Sequence, residues 1–174
     1  MTEAASSGTT SPASGGTSWP PPRALEDFAV GEVMETLGRT VEASDLVAFA
    51  GLTGDHYPLH TDEEYAKQTR YGGRIAHGPL TFSLAVGQVA LSGWYGDAIV
   101  ALVQGGPLKA TAPVRPGDTI RVRCTVTAVE PHKKPEYGVL HVDYDVRNQA
   151  DESVMTFPWV MLARRRNPLE TESG

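Results

Sequence analysis

Between Ala76 and Trp94 lies a segment that leaves few architectures open to the chain. His77, Gly78 and Pro79 read as a helix start, because proline in a first turn forfeits an N–H that has no intrahelical partner anyway. Beyond them Leu80, Phe82, Leu84, Ala85, Val86, Val89, Ala90 and Leu91 cover nearly every direction around the axis. A helix without a solvated face of any width has to be wrapped on most sides. Pro79, Gln88, Ser92 and the glycines interrupt the run from Gly78 to Gly96 too often for a bilayer span, so a buried helix is expected rather than a membrane segment.

The second half of the chain supplies the wrapping. Ile120, Val122, Cys124, Val126 and Ala128 alternate with Arg121, Arg123, Thr125 and Thr127, the period of a half-buried strand. Leu140, Val142, Tyr144 and Val146 alternate with His141, Asp143, Asp145 and Arg147 in the same way. A third strand, Val154 to Leu162, is apolar on both faces apart from Thr156, and Pro158 within it predicts an edge position or a bulge. Ile99 to Val103 and Leu108 to Ala112 read as further strands, with a turn at Pro116, Gly117 and Asp118. The expected fold class is α+β, an antiparallel sheet curling its apolar face around one helix.

Ahead of that helix, Leu25 to Thr40 reads as an entry segment with a turn at Gly31 and a short strand. Ser44 offers an N-cap, with Asp45 in the first turn and Leu46, Phe49 and Ala50 at helical spacing, before Gly51 to Gly54 punctuate the chain. Thr61 and Glu64 have the spacing of a capping box, which predicts a second helix starting just after His60 and ending before Gly72. The length of 174 residues suits one domain. The expected division is a disordered Ser/Gly/Thr/Pro-rich tail over 1–22, a domain over 23–166 and a C-terminal tail over 167–174. A balance of 15 basic against 21 acidic residues gives no electrostatic reason for a nucleic-acid or anionic-membrane partner. The single cysteine, Cys124, precludes an intrachain disulfide and suits a cytoplasmic protein.

One stretch is too rich in chemistry to pass over. Gly54 to Asp62 reads GDHYPLHTD and packs an acid, two imidazoles, a phenol and a proline between two helices. Its plain explanation is a loop with turn formers and a cap, and a lone histidine there is more often solvated or structurally paired than catalytic. Asp55, His56, His60 and His77 also raise the question of a metal. His56 and His60 straddle Pro58, however, so no helical His-x-x-x-His site is expected, and no metal or cofactor.

The combination alters this weighing. Gly54-Asp55-x-Tyr57-Pro58-Leu59-His60 is followed, after a short helix, by Arg74-Ile75-Ala76-His77-Gly78-Pro79-Leu80. The linked pair resembles the MaoC-like, (R)-specific enoyl-CoA hydratase family of hot-dog fold proteins over roughly Phe28 to Arg164. The usual motif is Gly-Asp-x-Asn-Pro-[Leu/Ile]-His with a later Ala/Val-His-Gly, and Tyr57 stands here where the family has Asn. The resemblance implies a hydro-lyase in which Asp55 and His60 hold one water between them and the Gly78 N–H receives the oxyanion. It further implies that Tyr57, Pro58, His77 and Ser83 contact substrate, with Tyr57 and His56 lining or gating the acyl pocket. The Ser83 hydroxyl has the alternative of bonding back to its own helix. Arg164, Arg165 and Arg166 could meet coenzyme A phosphates or simply charge a strand end. The implied partner is an acyl-CoA or acyl-carrier thioester, and the implied assembly is a homodimer. Rival readings are a dehydratase for a specialised branched, dicarboxylic or carrier-bound thioester, a hot-dog thioesterase and a non-catalytic acyl-binding module.

Overall fold

Three long strands take their inward face from the alternation noted above. In the computed structural model, which describes residues 19–169, these are β5 (Thr119–Pro131), β6 (Tyr137–Arg147) and β7 (Ser153–Arg164). The tail expected at the N-terminus lies outside the described residues up to residue 18, as do the last five residues. Four shorter strands complete the sheet: β1 (Val33–Glu35), β2 (Arg39–Thr40), β3 (Ile99–Gly105) and β4 (Lys109–Ala110). Their order is β1-β5-β6-β7-β3, with β2 also on β5 and β4 also on β7, and every pairing is antiparallel. Among the described residues four α-helices accompany them, α1 (Ala43–Thr53), α2 (Pro58–Thr61), α3 (Glu63–Lys67) and α4 (Gly78–Leu91), with a 3-10 turn at Leu25–Asp27. Ile120, Val122, Cys124, Leu140, Val142 and Val146 lie fully buried against Leu80, Ala85 and Val89 of α4, which is the hot-dog arrangement.

Several local expectations shift. The β5 alternation ends at Val126, because a bulge between Val126 and Ala128 reverses the parity and pairs Val129 with Leu140. Pro158 lies in an interior strand rather than at an edge. Its carbonyl accepts from Gly106 N–H at 2.9 Å, on the side where β3 has ended and β4 has not begun. A strand residue points N and O the same way, so the missing proline N–H falls at that break and costs no ladder bond.

The helix caps also move. Glu42, not Ser44, is the N-cap of α1, and the Asp45 carboxylate accepts from Glu42 N–H at 2.9 Å while pairing with Arg39. Pro58 starts its own helical turn, so His60 sits inside α2 rather than ahead of a helix. The cap of α3 is Asp62, whose carboxylate accepts from Tyr65 N–H at 3.0 Å; the Thr61 hydroxyl donates back to His56 and Tyr57 carbonyls. Glu64 pairs with Lys67 instead of closing a capping box.

One chain does not finish wrapping α4. Ser83, Gly87, Ala90 and Leu91 remain exposed on one flank, and Val100, Leu102 and Val103 of the neighbouring edge strand β3 are each at least half exposed. Among the described residues no helix is long and apolar enough to cross a membrane.

Candidate active site

Gly54 closes α1 with φ of 77°, a left-handed conformation in which a Cβ is strained, and its N–H returns to the Ala50 carbonyl at 2.8 Å. The chain thereby turns sharply into Asp55. The Asp55 carboxylate accepts from Tyr57 N–H at 3.2 Å, a small Asx turn ahead of α2. Its carbonyl accepts from His77 Nε2 at 3.0 Å, which ties the loop to the start of α4.

His60 is held just as firmly. Its Nδ1 donates to the Ile75 carbonyl at 2.8 Å, so Nδ1 carries the proton and Nε2 keeps a free lone pair. The Asp55 carboxylate and the two imidazoles each offer a polar atom within 4.8 Å of the others. A single water spans such a gap with two hydrogen bonds of ordinary length.

His77 is wholly buried, its ring stacked on His60 at 3.9 Å and tilted against Phe49 at 5.0 Å. It therefore supports the site from behind rather than touching a substrate directly. With Nε2 donating to Asp55, its buried Nδ1 is left without a partner among the described residues. A metal shared by His60 and His77 would have to lie in both ring planes at about 2.0–2.1 Å from each nitrogen. Planes tilted by only 29° at that spacing do not meet so close, which argues against joint coordination.

A cleft of about 430 Å³ opens beside these groups, lined by His60, Gly78, Thr81, Arg70, Val154 and Met155 among others. Gly78 is the first residue of α4, where an N–H has no acceptor within its own helix and the helix dipole is positive. His60, with its free lone pair, and Gly78, with an unsatisfied amide, thus line one cleft, and the Asp55 carboxylate lies within 4.8 Å of His60. That set can orient a water and receive charge on a carbonyl oxygen.

The remaining expected contacts fall elsewhere in this chain. Tyr57 is 55% exposed with its hydroxyl 3.4 Å from that of Tyr65, and Pro58 is the first residue of α2; neither lines the cleft. The Ser83 hydroxyl donates to its own helix at Pro79, and Ser83 is exposed. His56 is exposed as well. Arg164, Arg165 and Arg166 pair with Asp97, Glu26 and Asp27, a charged strand end. Thr81, Arg70 and Tyr71 line the cleft without having been singled out. Thr81 carried a signal, a hydroxyl between Leu80 and Phe82 in a largely apolar helix; Arg70 carried none.

A curved antiparallel sheet around a central helix, with this loop at the helix entrance, defines a hot-dog fold protein. Residues 27–148 match the MaoC like domain, and the chain belongs to that family. It is 40% identical to the (R)-specific enoyl-CoA hydratase of Rhodospirillum rubrum over 112 residues, 63% of this chain and 74% of that protein. The 3-hydroxybutyryl-CoA dehydratase of Methylorubrum extorquens is 38% identical, over 63% of this chain and 68% of its own length. The crystal structure of a MaoC-like dehydratase from Rhodospirillum rubrum superposes with a TM-score of 0.74 at 32% identity, covering 84% of this chain and 99% of that one.

Proposed function

We propose that the protein is an (R)-specific hydro-lyase that adds water reversibly across the C2=C3 bond of an enoyl thioester carried on coenzyme A. The observation that carries this reading is the approach of Asp55 and His60 to within 4.8 Å of one another, beside the cleft that Gly78 also lines. Relatives named as an enoyl-CoA hydratase and a hydroxybutyryl-CoA dehydratase support the same class.

In the forward direction one water donates a hydrogen bond to the Asp55 carboxylate and another to His60 Nε2, which turns its oxygen toward C3. Asp55 takes a proton as the C3–O bond forms, the C2=C3 pair moves to C2, and negative charge gathers on the thioester oxygen. The Gly78 N–H receives that charge, a donor worth about 3–4 kcal/mol at such a position. The proton returns to C2 across the same Asp55 and His60 pair, so the enzyme ends as it began. No cofactor enters these steps.

The partner most consistent with the surface is a second copy of the chain. Pairing of two protomers would cover exposed apolar residues on the α4 flank and on edge strand β3, and it would remove an unpaired strand edge. The two cleft openings would then lie close to that interface.

Purified protein mixed with crotonyl-CoA tests the reading through two signals followed together. Loss of enoyl absorbance without free thiol is the expected result. Thiol release would favour thioester hydrolysis instead, and silence on a panel of enoyl-CoAs would favour a binding module.

A further inference from the structure

Arg70 lines the same cleft as His60 and Gly78, and hydration of a plain enoyl chain gives it nothing to do. Among the described residues its guanidinium meets no carboxylate. One N–H donates to the Tyr71 hydroxyl at 2.7 Å, and the guanidinium carbon lies 4.8 Å from the centre of the Tyr71 ring. A guanidinium has five N–H donors, so most of the fork stays available. Most arginines elsewhere are disposed of differently, although the Arg115 guanidinium too donates to Tyr71, at its carbonyl, rather than to an acid. Arg121, Arg123 and Arg147 on the sheet, and Arg164, Arg165 and Arg166 at its end, are all paired with acids.

The rest of the cleft sharpens the contrast. Ala112, Val114, Val154 and Met155 make its walls apolar, Thr81 and Thr111 add hydroxyls, and no acidic side chain lines it. In a chain of formal charge −6, an exposed guanidinium kept clear of acids within an apolar-walled cleft marks a place for an anion. The planar fork suits a carboxylate above all.

The anion has two sources, a carboxylate on the acyl chain or a phosphate of the coenzyme. At about 430 Å³ the cleft lies in the lower part of the range for ligand sites and takes an acyl group with its thioester, but not the whole of coenzyme A. We infer that Arg70 holds a carboxylate at the distal end of the acyl group, so that the protein prefers enoyl thioesters ending in a negative charge. This rests on the hydratase reading above and narrows its substrate class.

Two chains of equal carbon count test it: trans-2-pentenoyl-CoA and glutaconyl-CoA, which carries a carboxylate at C5. The wild-type protein should favour glutaconyl-CoA in kcat/KM by about 10–100-fold, the range expected of a charge-assisted hydrogen-bonded pair. Arg70→Gln should bring that ratio close to one, and Arg70→Lys should leave an intermediate ratio, since it keeps the charge and loses the fork. Arg70 is exposed and bonded only to its neighbour, so these variants are expected to fold. Calorimetric binding of the saturated pair, glutaryl-CoA against pentanoyl-CoA, reads the same ratio without turnover. If no enoyl absorbance is lost with any substrate the hydratase reading fails alone, and the binding ratio still decides on Arg70. Equal binding of both acyl-CoAs by the wild-type protein would overturn the inference. So would an Arg70→Gln loss that is the same for both chains and vanishes with N-acetylcysteamine thioesters, which would identify a coenzyme phosphate as the anion.

Discussion

His77 stacks its buried ring on that of His60 at 3.9 Å while its Nε2 holds the Asp55 carbonyl at 3.0 Å, so one side chain touches both residues proposed to hold the water. His77→Leu fills the space but leaves a carbonyl without its donor, a loss of about 1–3 kcal/mol in urea unfolding. The loop then relaxes, and displacement of a catalytic group by about 1 Å costs on the order of 10²-fold in rate. The expected kinetic signature is a fall in kcat for crotonyl-CoA larger than any change in KM. His77→Gln can present an N–H near the position of Nε2 and should recover part of both losses. Undiminished kcat in His77→Leu would mean that the loop keeps its shape without this brace.

Asp55→Asn and His60→Gln probe the chemistry itself. Each should lower hydration of crotonyl-CoA by about 10²–10⁴-fold, the usual worth of a positioned acid–base group. On the proposed mechanism the two side chains share one water, so the double variant should lose little more than the worse single one. Asp55 is exposed and His60 half-buried, so circular dichroism and thermal midpoints should stay near the wild-type values. Near-full activity in either single variant would remove that residue from the mechanism.

The exposed apolar residues Val100, Leu102 and Val103 of edge strand β3, with Leu91 of α4, bear on assembly. Apolar side chains exposed along an open strand edge are covered at an interface in most soluble proteins. Sedimentation should return twice the chain mass of 18.6 kDa. Leu102→Asp with Val103→Lys places charges on that edge and should shift the population toward monomer at micromolar concentration. A wild-type protein that sediments as monomer would leave these exposed residues without this explanation.

How far the fold could be read in advance depended on how local its causes are. The α4 helix was legible because Pro79, the glycine before it and the apolar run all act within the helix itself. The alternation of β6 was legible for the same reason, each buried residue lying two from the next. Pro158 misled, since its tolerance depends on where β3 stops and β4 begins, strands more than 45 residues earlier in the chain. The helix caps misled by a narrow margin: Thr61 and Asp62 are adjacent and both competent, and Pro58 decided between them by starting a turn of its own. Within the site, the approach of Asp55 to His60 and the cleft that Gly78 shares with His60 were legible from spacing and resemblance. The bracing role of His77 and the free fork of Arg70 were not, because both follow from burial and from which acids lie nearby, which no short stretch of sequence records.

The core sets an alkaline limit on stability. Tyr95 and Tyr144 share a hydrogen bond of 2.7 Å inside it, and burial pushes both phenols well above the usual tyrosine range. Burial likewise pushes the Cys124 thiol up. A raised value in the folded state means that these groups stay protonated there while the unfolded chain ionises. Their contribution is therefore fully present below the unfolded values, near 8.5 for a thiol and 10 for a phenol, and declines as pH rises past them. The unfolding free energy from urea titrations should hold steady up to about pH 8 and then fall, by up to about 1.4 kcal/mol per pH unit for each group that has begun to ionise in the unfolded chain, and the midpoint with it. Cys124→Ala should remove the earliest part of that decline at the expense of a small cavity, and Tyr144→Phe should cost about 1–3 kcal/mol at pH 7 by leaving the Tyr95 hydroxyl unpaired. Replacing both tyrosines with phenylalanine should cost less than Tyr144→Phe alone, because no buried hydroxyl is then stranded. A midpoint that stays level from pH 8 to 11 would show that these three groups ionise as readily in the folded protein as in the unfolded one.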